Sequence, residues 1–352
     1  MNVLNQKELL RRASNLSQIA FARRFMYTEG MANGMRAIDV KSGSGLRFTV
    51  LEDRGLDLYE MEYKGINLSF LSKNGPVSGQ RFVADDNHFT GLINGGMMFT
   101  AGLMNVGGGC VDTDGTVHSL HGRIDGTAAN EVSAKSFMED TDVVTEITGK
   151  MVEAKLFGEK LELSRKITTH SNCPCVHIED SLFNARALDT EFEILYHINI
   201  GFPFLDESVT VHTPESRVIP RNEDAEKGLD AHHLISAPID SCPEQVFFHE
   251  IKPDADGYCY ALAVNHNLSL AFYVRYRFGE LTHLCQWKSM QSGDYVLGLE
   301  PSNNYLNSRK GERENGTLKS IGGFETKKFD VMFGILDGDA EIETFMKNHD
   351  IR

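Results

Sequence analysis

One apolar segment, residues 192–201, carries two polar side chains that could do chemistry. Its sequence is Phe-Glu-Ile-Leu-Tyr-His-Ile-Asn-Ile-Gly, which is typical of a strand. Because strand side chains alternate between two faces, His197 and Asn199 share one face with Leu195. The opposite face is predicted to be core, and its residues are Ile194, Tyr196, Ile198 and Ile200. If the first face lines a cleft, His197 could transfer a proton near neutral pH. The alternatives are a solvent-facing strand or a buried histidine bonded to a backbone carbonyl.

A second candidate is Glu300, which ends the apolar run Val-Leu-Gly-Leu-Glu and is followed by Pro301. A carboxylate at the end of a buried strand is costly unless it is paired or functional. Burial would raise its pKa, which suits a general base. The structural alternative is a hydrated residue at a strand end.

The segment Ser-Leu-His-Gly-Arg-Ile at residues 119–124 offers two further candidates. Arg123 carries a planar fork of donors, and His121 could sense or transfer a proton. Gly122 between them permits close approach of a ligand. An exposed turn with two polar side chains is the competing interpretation.

Two more segments could contribute to recognition of a polyol. Arg54 and Asp57, in Glu-Asp-Arg-Gly-Leu-Asp, could bind hydroxyls through charge-assisted hydrogen bonds, or they could pair with each other in a hairpin turn. Trp287 is the only tryptophan in the chain. Its flat face could cover the C–H face of a sugar, although core packing explains its position equally well.

Other motifs do not support a cofactor or a metal. The run Gly107–Gly109 opens no predicted helix, so it is not a phosphate loop. The segment beginning at Asp112 lacks the turn glycine and the last acidic ligand of a calcium loop. His118 and His121 would lie on opposite faces of a strand, so together they could bind a metal only from a loop. We therefore expect no cofactor and no metal.

Alternating apolar residues separated by turn signals predict many strands, and no βαβ rhythm is present. Residues 46–50, 161–167, 176–182, 268–276, 296–300 and 329–336 are examples. The pattern predicts an all-β protein built as one large antiparallel β-sandwich. Leu9, Leu10, Ala13, Leu16 and Ile19 recur at helical spacing. We therefore predict a helical extension over residues 1–30 and a single β-sandwich domain over residues 31–352.

Composition limits the partners. Asp and Glu number 50 against 35 Lys and Arg, giving a formal net charge of −15, which opposes binding to nucleic acid or anionic membranes. No apolar run reaches the ~20 residues of a membrane span, and the N-terminus lacks a signal core. The six cysteines are sparse, and we expect reduced thiols in a cytoplasmic protein. The oligomeric state cannot be read from the sequence.

Taken in order, several of these pieces resemble the aldose 1-epimerase, or galactose mutarotase-like, superfamily. The resemblance spans roughly residues 45–335. It rests on Leu161-x-Leu-x-Arg165, Ile178-x-Asp180-x-Leu-x-Asn184, Leu195-Tyr-His197-x-Asn199-x-Gly-x-Pro203, Leu120-His121-Gly122 and Glu300-Pro301. The pieces Asp53-Arg54-Gly55-Leu56-Asp57 and His121-Gly122-Arg123 point to a less characterised branch of that superfamily, often described only as a domain of unknown function.

The resemblance implies a super-sandwich of antiparallel strands with an open sugar cleft and no cofactor. It implies that His197 protonates the ring oxygen of a sugar and that Glu300 accepts the proton of the anomeric hydroxyl. The two would face each other across a pocket about as wide as a pyranose. His121 and Arg123 would orient the sugar, with Arg54 and Asp57 nearby.

Three functions remain open from the sequence. The first is an isomerase that interconverts the anomers of a sugar or sugar derivative. The second is a carbohydrate-binding protein without catalysis on the same scaffold. The third is another carbohydrate enzyme, such as a lyase or a metal-dependent isomerase, since Arg54 and Arg123 together could grip a carboxylate. In each case the partner is a small carbohydrate.

Overall fold

The computed structural model describes residues 6–81, 86–214 and 216–351, and the side chains of all of these except residues 86–88. Two large antiparallel sheets pack face to face, which confirms the predicted β-sandwich. The strands are β1 Phe21–Met26, β2 Arg36–Lys41, β3 Leu46–Leu51, β4 Asp57–Tyr63, β5 Ile66–Asn67, β6 Met98–Leu103, β7 Cys110–Val111, β8 Val117–His118, β9 Asn130–Glu139, β10 Asp142–Ala154, β11 Lys160–His170, β12 Cys173–Asn184, β13 Thr190–Ile200, β14 Val209–His212, β15 Ser216–Pro220, β16 Gln245–Ile251, β17 Tyr258–Asn265, β18 Leu270–Arg277, β19 His283–Gln291, β20 Asp294–Ser302, β21 Lys319–Ile321 and β22 Thr326–Asp337.

The first sheet runs in the order β1-β2-β3-β4-β6-β13-β20-β19-β16-β15, with β5 and β21 pairing at its side. The second sheet runs β14-β17-β18-β22-β12-β11-β10-β9. β7 and β8 form a separate hairpin. The strand β13 lies in the middle of the first sheet, between β6 and β20, and all its residues except the half-buried Glu191 are buried.

Among the residues that the structure describes, five short α-helices join or flank the sheets: α1 Gln6–Leu10, α2 Asp86–Leu92, α3 Glu223–Lys227, α4 Ser308–Glu314 and α5 Asp339–Asn348. In the described ranges the longest of them, α5, has ten residues, about half of what a membrane-spanning helix needs. α5 lies on the outer face of the second sheet, where Ile342 packs among its apolar residues.

The N-terminal segment differs from the helical extension predicted for residues 1–30. The short helix exists as α1, but residues 21–26 form β1, which pairs with β2 in the register Phe21↔Lys41 to Met26↔Arg36. Residues 21–26 satisfy one side of their backbone by pairing with β2, and β1 thereby becomes the edge strand of the first sheet. Residues 1–5 of the predicted extension lie outside the described residues. Cys173 and Cys175 are joined by a disulfide, in contrast to the expected reduced thiols.

A buried polar network crosses between the two sheets. Arg165 on β11 donates to Asp180 on β12 at 2.7 Å and to Asp57 on β4 at 2.6 Å. The Tyr196 hydroxyl on β13 donates to Asp180 at 2.8 Å, and Thr100 on β6 donates to Asp57 at 2.7 Å. Because every charge in this network has a partner, it holds the sheets in one register instead of destabilising the core.

Candidate functional site

A cavity of about 270 Å³ opens on the face of the first sheet that points away from the sandwich core. This volume lies near the small end of the range for small-molecule pockets, ~300–1,000 Å³. Its walls are mainly apolar and aromatic, with a few polar groups that converge on one side. The polar side chains lining it are Ser72, Thr90, His121, His197, Asn199, Arg221, Glu244, Cys285, Trp287 and Glu300.

His197 enters this cavity because of strand alternation in β13. Tyr196 and Ile198 point into the main core, as predicted, while His197 and Asn199 line the cavity. The Asn199 amide nitrogen donates to two backbone carbonyls, so its Oδ1 faces His197 Nδ1 at 2.5 Å. The Nδ1 atom must therefore carry the hydrogen, and a neutral His197 presents Nε2 as a lone pair. Burial lowers the pKa of His197 well below its ordinary value, which favours that neutral form.

Glu300 reaches the same cavity from β20, the neighbour of β13. Its side chain is only 1% exposed, and among the described residues neither carboxyl oxygen has an aligned N–H or O–H donor. Burial raises the pKa of Glu300 well above its ordinary value, and the nearby Cys285 thiol offsets this in part. A buried carboxylate without donors is costly, so the neutral carboxylic acid is the favoured resting form. An unsatisfied buried carboxyl group facing a cavity marks a place for a polar ligand.

The two groups are in direct contact: His197 Nδ1 lies 3.1 Å from Glu300 Oε1. The expectation that a pocket of pyranose width separates them is therefore wrong. The cause is the pairing of β13 with β20, in which Asn199 is opposite Gly298 and the two polar side chains project from neighbouring strands on one face. A ligand must bind over this pair, not between its members.

His121 lies beside His197 in the cavity wall, with its ring centroid 5.5 Å from that of His197, and both rings contact Phe99. The Gly107 N–H donates to His121 Nδ1 at 3.3 Å, so Nε2 carries the proton in the neutral ring. Burial lowers the pKa of His121 to about 4, so near neutral pH it is an uncharged donor. Gly122 makes this position possible: its φ is +75°, and a Cβ there would meet the Gly102 carbonyl oxygen at 2.1 Å.

Trp287 forms part of the aromatic wall of the cavity. Its ring stands edge-on to His197, with centroids 5.2 Å apart. The indole Nε1 donates to Glu244 Oε2 at 2.9 Å, which fixes the orientation of the ring. Trp287 is half-buried and not part of the sandwich core.

Three residues predicted for the site lie elsewhere. Arg54 is 1% exposed and forms an ion pair with Asp125 away from the cavity. Asp57 belongs to the network around Arg165 that joins the sheets. Arg123 is exposed, and its charge acts on the buried Glu153. The positive φ at His121 and Gly122 turns the chain between the histidine and Arg123, which explains why two residues so close in sequence separate.

The structure adds four residues that the sequence did not single out. Phe99 on β6 stacks on His197, with centroids 4.3 Å apart and planes at 21°. Gly298 on β20 leaves room for the Glu300 carboxyl group, since a Cβ there would lie 2.1 Å from Glu300 Oε1. Arg221 and Glu244 line the cavity from loops beside β15 and β16. A glycine inside a strand signals such a close approach, whereas the two loop residues carried no signal in the sequence.

Within residues 6–81, 86–214 and 216–351, no group of three or more His, Cys, Asp or Glu side chains is arranged to hold a metal ion. At the cavity, the imidazole of His197, the carboxyl group of Glu300 and the N–H donor of His121 lie close together. Such a set can move protons to and from a bound hydroxyl-rich molecule.

Solved structures share this architecture. A protein from Klebsiella pneumoniae, provisionally named an aldose 1-epimerase, superposes with a TM-score of 0.89 at 22% identity, over 99% of this chain and 91% of that one. A galactose mutarotase-like protein from Clostridium acetobutylicum gives 0.62 at 13% identity, over 91% and 99%. Galactose 1-epimerase from Lactobacillus acidophilus NCFM gives 0.55 at 12% identity, over 91% and 99%. The chain therefore has the galactose mutarotase-like fold, as its motifs indicated.

A family model gives a more specific assignment than the shared fold. Residues 32–335 match the model of the family described as a domain of unknown function, DUF4432. Because the match covers most of the chain, the protein belongs to that family. A comparison with curated proteins finds no match.

Proposed function

We propose that the protein is an isomerase that interconverts the anomers of a monosaccharide, with His197 and Glu300 as the proton-transfer pair. The observation that carries the proposal is the buried Glu300 carboxyl group, which has no aligned N–H or O–H donor among the described residues and faces a cavity beside a neutral imidazole. The aromatic wall with Trp287 suits the C–H face of a sugar, and His121 offers an N–H donor to its hydroxyl groups. Asn199 acts through its hydrogen bond to His197.

Anomer exchange needs little from the protein. The ring opens when the anomeric hydroxyl loses its proton and the ring oxygen gains one, and rotation followed by closure gives the other anomer. Both oxygens are bonded to the same carbon atom. Two proton-transfer groups that contact each other can therefore serve both oxygens from one side, and no gap of pyranose width between the groups is required.

The resting protonation favours a specific division of roles. Glu300 is the neutral acid and gives its proton to the ring oxygen, while His197 Nε2 takes the proton of the anomeric hydroxyl. On ring closure the two protons return along the same routes, so the enzyme ends in its starting state. This is the reverse of the roles that the family resemblance implies, and it follows from burial of both groups.

Polarimetry on freshly dissolved single anomers, over a panel of pentoses, hexoses and deoxy sugars, tests the function. We expect faster approach to anomeric equilibrium for at least one sugar. His197→Asn and Glu300→Gln should each remove ~10²–10⁴-fold of the catalysed rate. His177→Asn and Glu179→Gln, on β12 outside the cavity, are matched controls that should retain it.

Two other outcomes would replace the proposal. Sugar binding by NMR without exchange of the bound anomers would indicate a binding protein on this fold. An unsaturated product that absorbs in the ultraviolet, or activity lost to a chelator, would indicate another carbohydrate enzyme. Full activity in both cavity variants would refute the assigned roles.

A further inference from the structure

The carboxylate of Glu244, at the cavity, accepts hydrogen bonds from both Arg221 and Trp287. Glu244, just before β16, accepts a hydrogen bond from Arg221 Nη2 on Oε1 at 2.7 Å. Its second oxygen, Oε2, accepts the indole N–H of Trp287 at 2.9 Å. The side chains of Arg221 and Glu244 are 30% and 50% exposed, which places them where the cavity meets solvent.

The ion pair of Arg221 and Glu244 determines the net charge at the entrance of the cavity. Among the described residues that line the cavity, Arg221 is the one side chain with a fixed positive charge, and Glu244 is its partner. The remaining wall is largely apolar, with Phe70, Phe89 and Val246 among its residues. Histidines 121 and 197 are held neutral by burial, so no unpaired cation is available to a carboxylate on a substrate.

We propose that Glu244 determines the substrate class by cancelling the charge of Arg221, so that the cavity takes neutral sugars and discriminates against acidic ones. Glu244 is also a positioning residue, because it fixes the Trp287 ring as a platform for the C–H face of the sugar. This inference rests on the proposed function for the statement that the ligand is a sugar. The charge balance itself does not depend on that statement.

Trp287 provides a direct probe, because it is the only tryptophan in the chain and it lies beside Glu244. Collisional quenching of its fluorescence by iodide senses the local charge, and quenching by acrylamide senses accessibility alone. At constant ionic strength, Glu244→Gln should raise the ratio of the iodide to the acrylamide quenching constant roughly threefold, since one negative charge a few ångströms away is lost. Arg221→Gln should lower the same ratio.

The positioning role has its own readout. Glutamine retains an acceptor oxygen for the indole N–H, whereas alanine does not. We therefore expect the emission maximum and anisotropy of Trp287 in Glu244→Gln to match the wild type, and both to change in Glu244→Ala. An unchanged quenching ratio in Glu244→Gln, or equal emission from Gln and Ala variants, would overturn the inference.

Selectivity is measured on matched ligands. For an aldose that the wild type binds, Glu244→Gln should improve the affinity of the corresponding uronate relative to the aldose by about tenfold, the lower range for a hydrogen bond to a charged group. No change in that ratio would overturn the inference while leaving the proposed function intact. Absence of anomer exchange together with the expected quenching pattern would instead refute the function and leave the charge balance standing.

Discussion

The imidazole of His197 and the carboxyl group of Glu300 touch, with Nδ1 3.1 Å from Oε1, on two adjacent antiparallel strands. Burial pushes their pKa values in opposite directions, down for His197 and up for Glu300. Burial therefore favours the uncharged form of each group, and their closeness makes them titrate as a pair. A neutral imidazole that can accept a proton thus lies next to a carboxylic acid that can donate one. Proton exchange on a hemiacetal requires both.

The pH dependence of catalysis follows from these directions. We expect a plateau that falls at high pH, where Glu300 loses its proton, and at low pH, where His197 gains one. Infrared difference spectra at neutral pH should show the carbonyl band of a protonated carboxylic acid that disappears in Glu300→Gln. A carboxylate band in its place would contradict the assigned resting state.

Stability should depend on pH through the same carboxyl group. Because the folded-state pKa of Glu300 is raised, the folded chain binds more protons than the unfolded chain above about pH 4.5, and stability falls as pH rises from there to the raised pKa. Glu300→Gln removes the titrating group, so the variant should not show this fall in stability with rising pH. Between pH 4 and 8, the free energy of unfolding measured with denaturant should therefore increase in the variant relative to the wild type, and the difference should widen as pH rises. Because His197 titrates together with Glu300, the same comparison in a His197→Asn background isolates the carboxyl group, and parallel pH curves there would contradict the prediction.

Gly298→Ala should disturb the site without disturbing the fold. The added Cβ would lie 2.1 Å from Glu300 Oε1, so the carboxyl group must move, while the backbone of β20 remains compatible with alanine. We expect a loss of ~10-fold or more in anomer exchange, since proton transfer requires close placement of the acid. The free energy of unfolding should change by only about 1 kcal/mol. Gly293→Ala is not a suitable control because its φ is positive, so the exposed Ser292→Ala on the same hairpin serves instead.

Substitutions of Arg123 and Asp57 should distinguish an exposed residue outside the cavity from a residue that stabilises the fold. Arg123→Gln changes an exposed side chain outside the cavity and should leave anomer exchange within about twofold of the wild type. Asp57→Ala leaves donors of the buried Arg165 and Thr100 without an acceptor, while Asp180 still pairs with Arg165, and should destabilise the protein by ~1–3 kcal/mol. Thermal unfolding and polarimetry on the same samples distinguish the two effects. A large activity loss in Arg123→Gln without loss of stability would return Arg123 to the site.

The sequence predicted the parts of the fold that depend on local pattern. Alternation in β13 correctly assigned Tyr196 to the core and His197 to the other face, because a strand allows only two orientations. Arg54 and Asp57 were wrongly assigned to the site for a different reason. The local sequence around a charged residue does not show whether its side chain binds a ligand or pairs with a residue far along the chain. Their partners, Asp125 and Arg165, lie far along the chain, and only the folded structure brings them together.

The cavity loops were missed for a related reason. Arg221 and Glu244 lie 23 positions apart in segments without regular pattern, and their link is a hydrogen bond between loops. The distance between His197 and Glu300 also could not be read from the sequence, since it depends on which strands become neighbours.

Along β13, successive side chains serve separate purposes: Tyr196 joins the polar network under the sheet, and His197 enters the cavity above it. The strand that forms the floor of the cavity is thus held to the second sheet by interactions made on its opposite face. Residues that line the cavity can therefore be exchanged to suit a different ligand while the interactions between the two sheets stay in place. Redesign of this pocket accordingly begins at Phe99, Trp287 and Glu244, and leaves Arg165 and its acidic partners untouched.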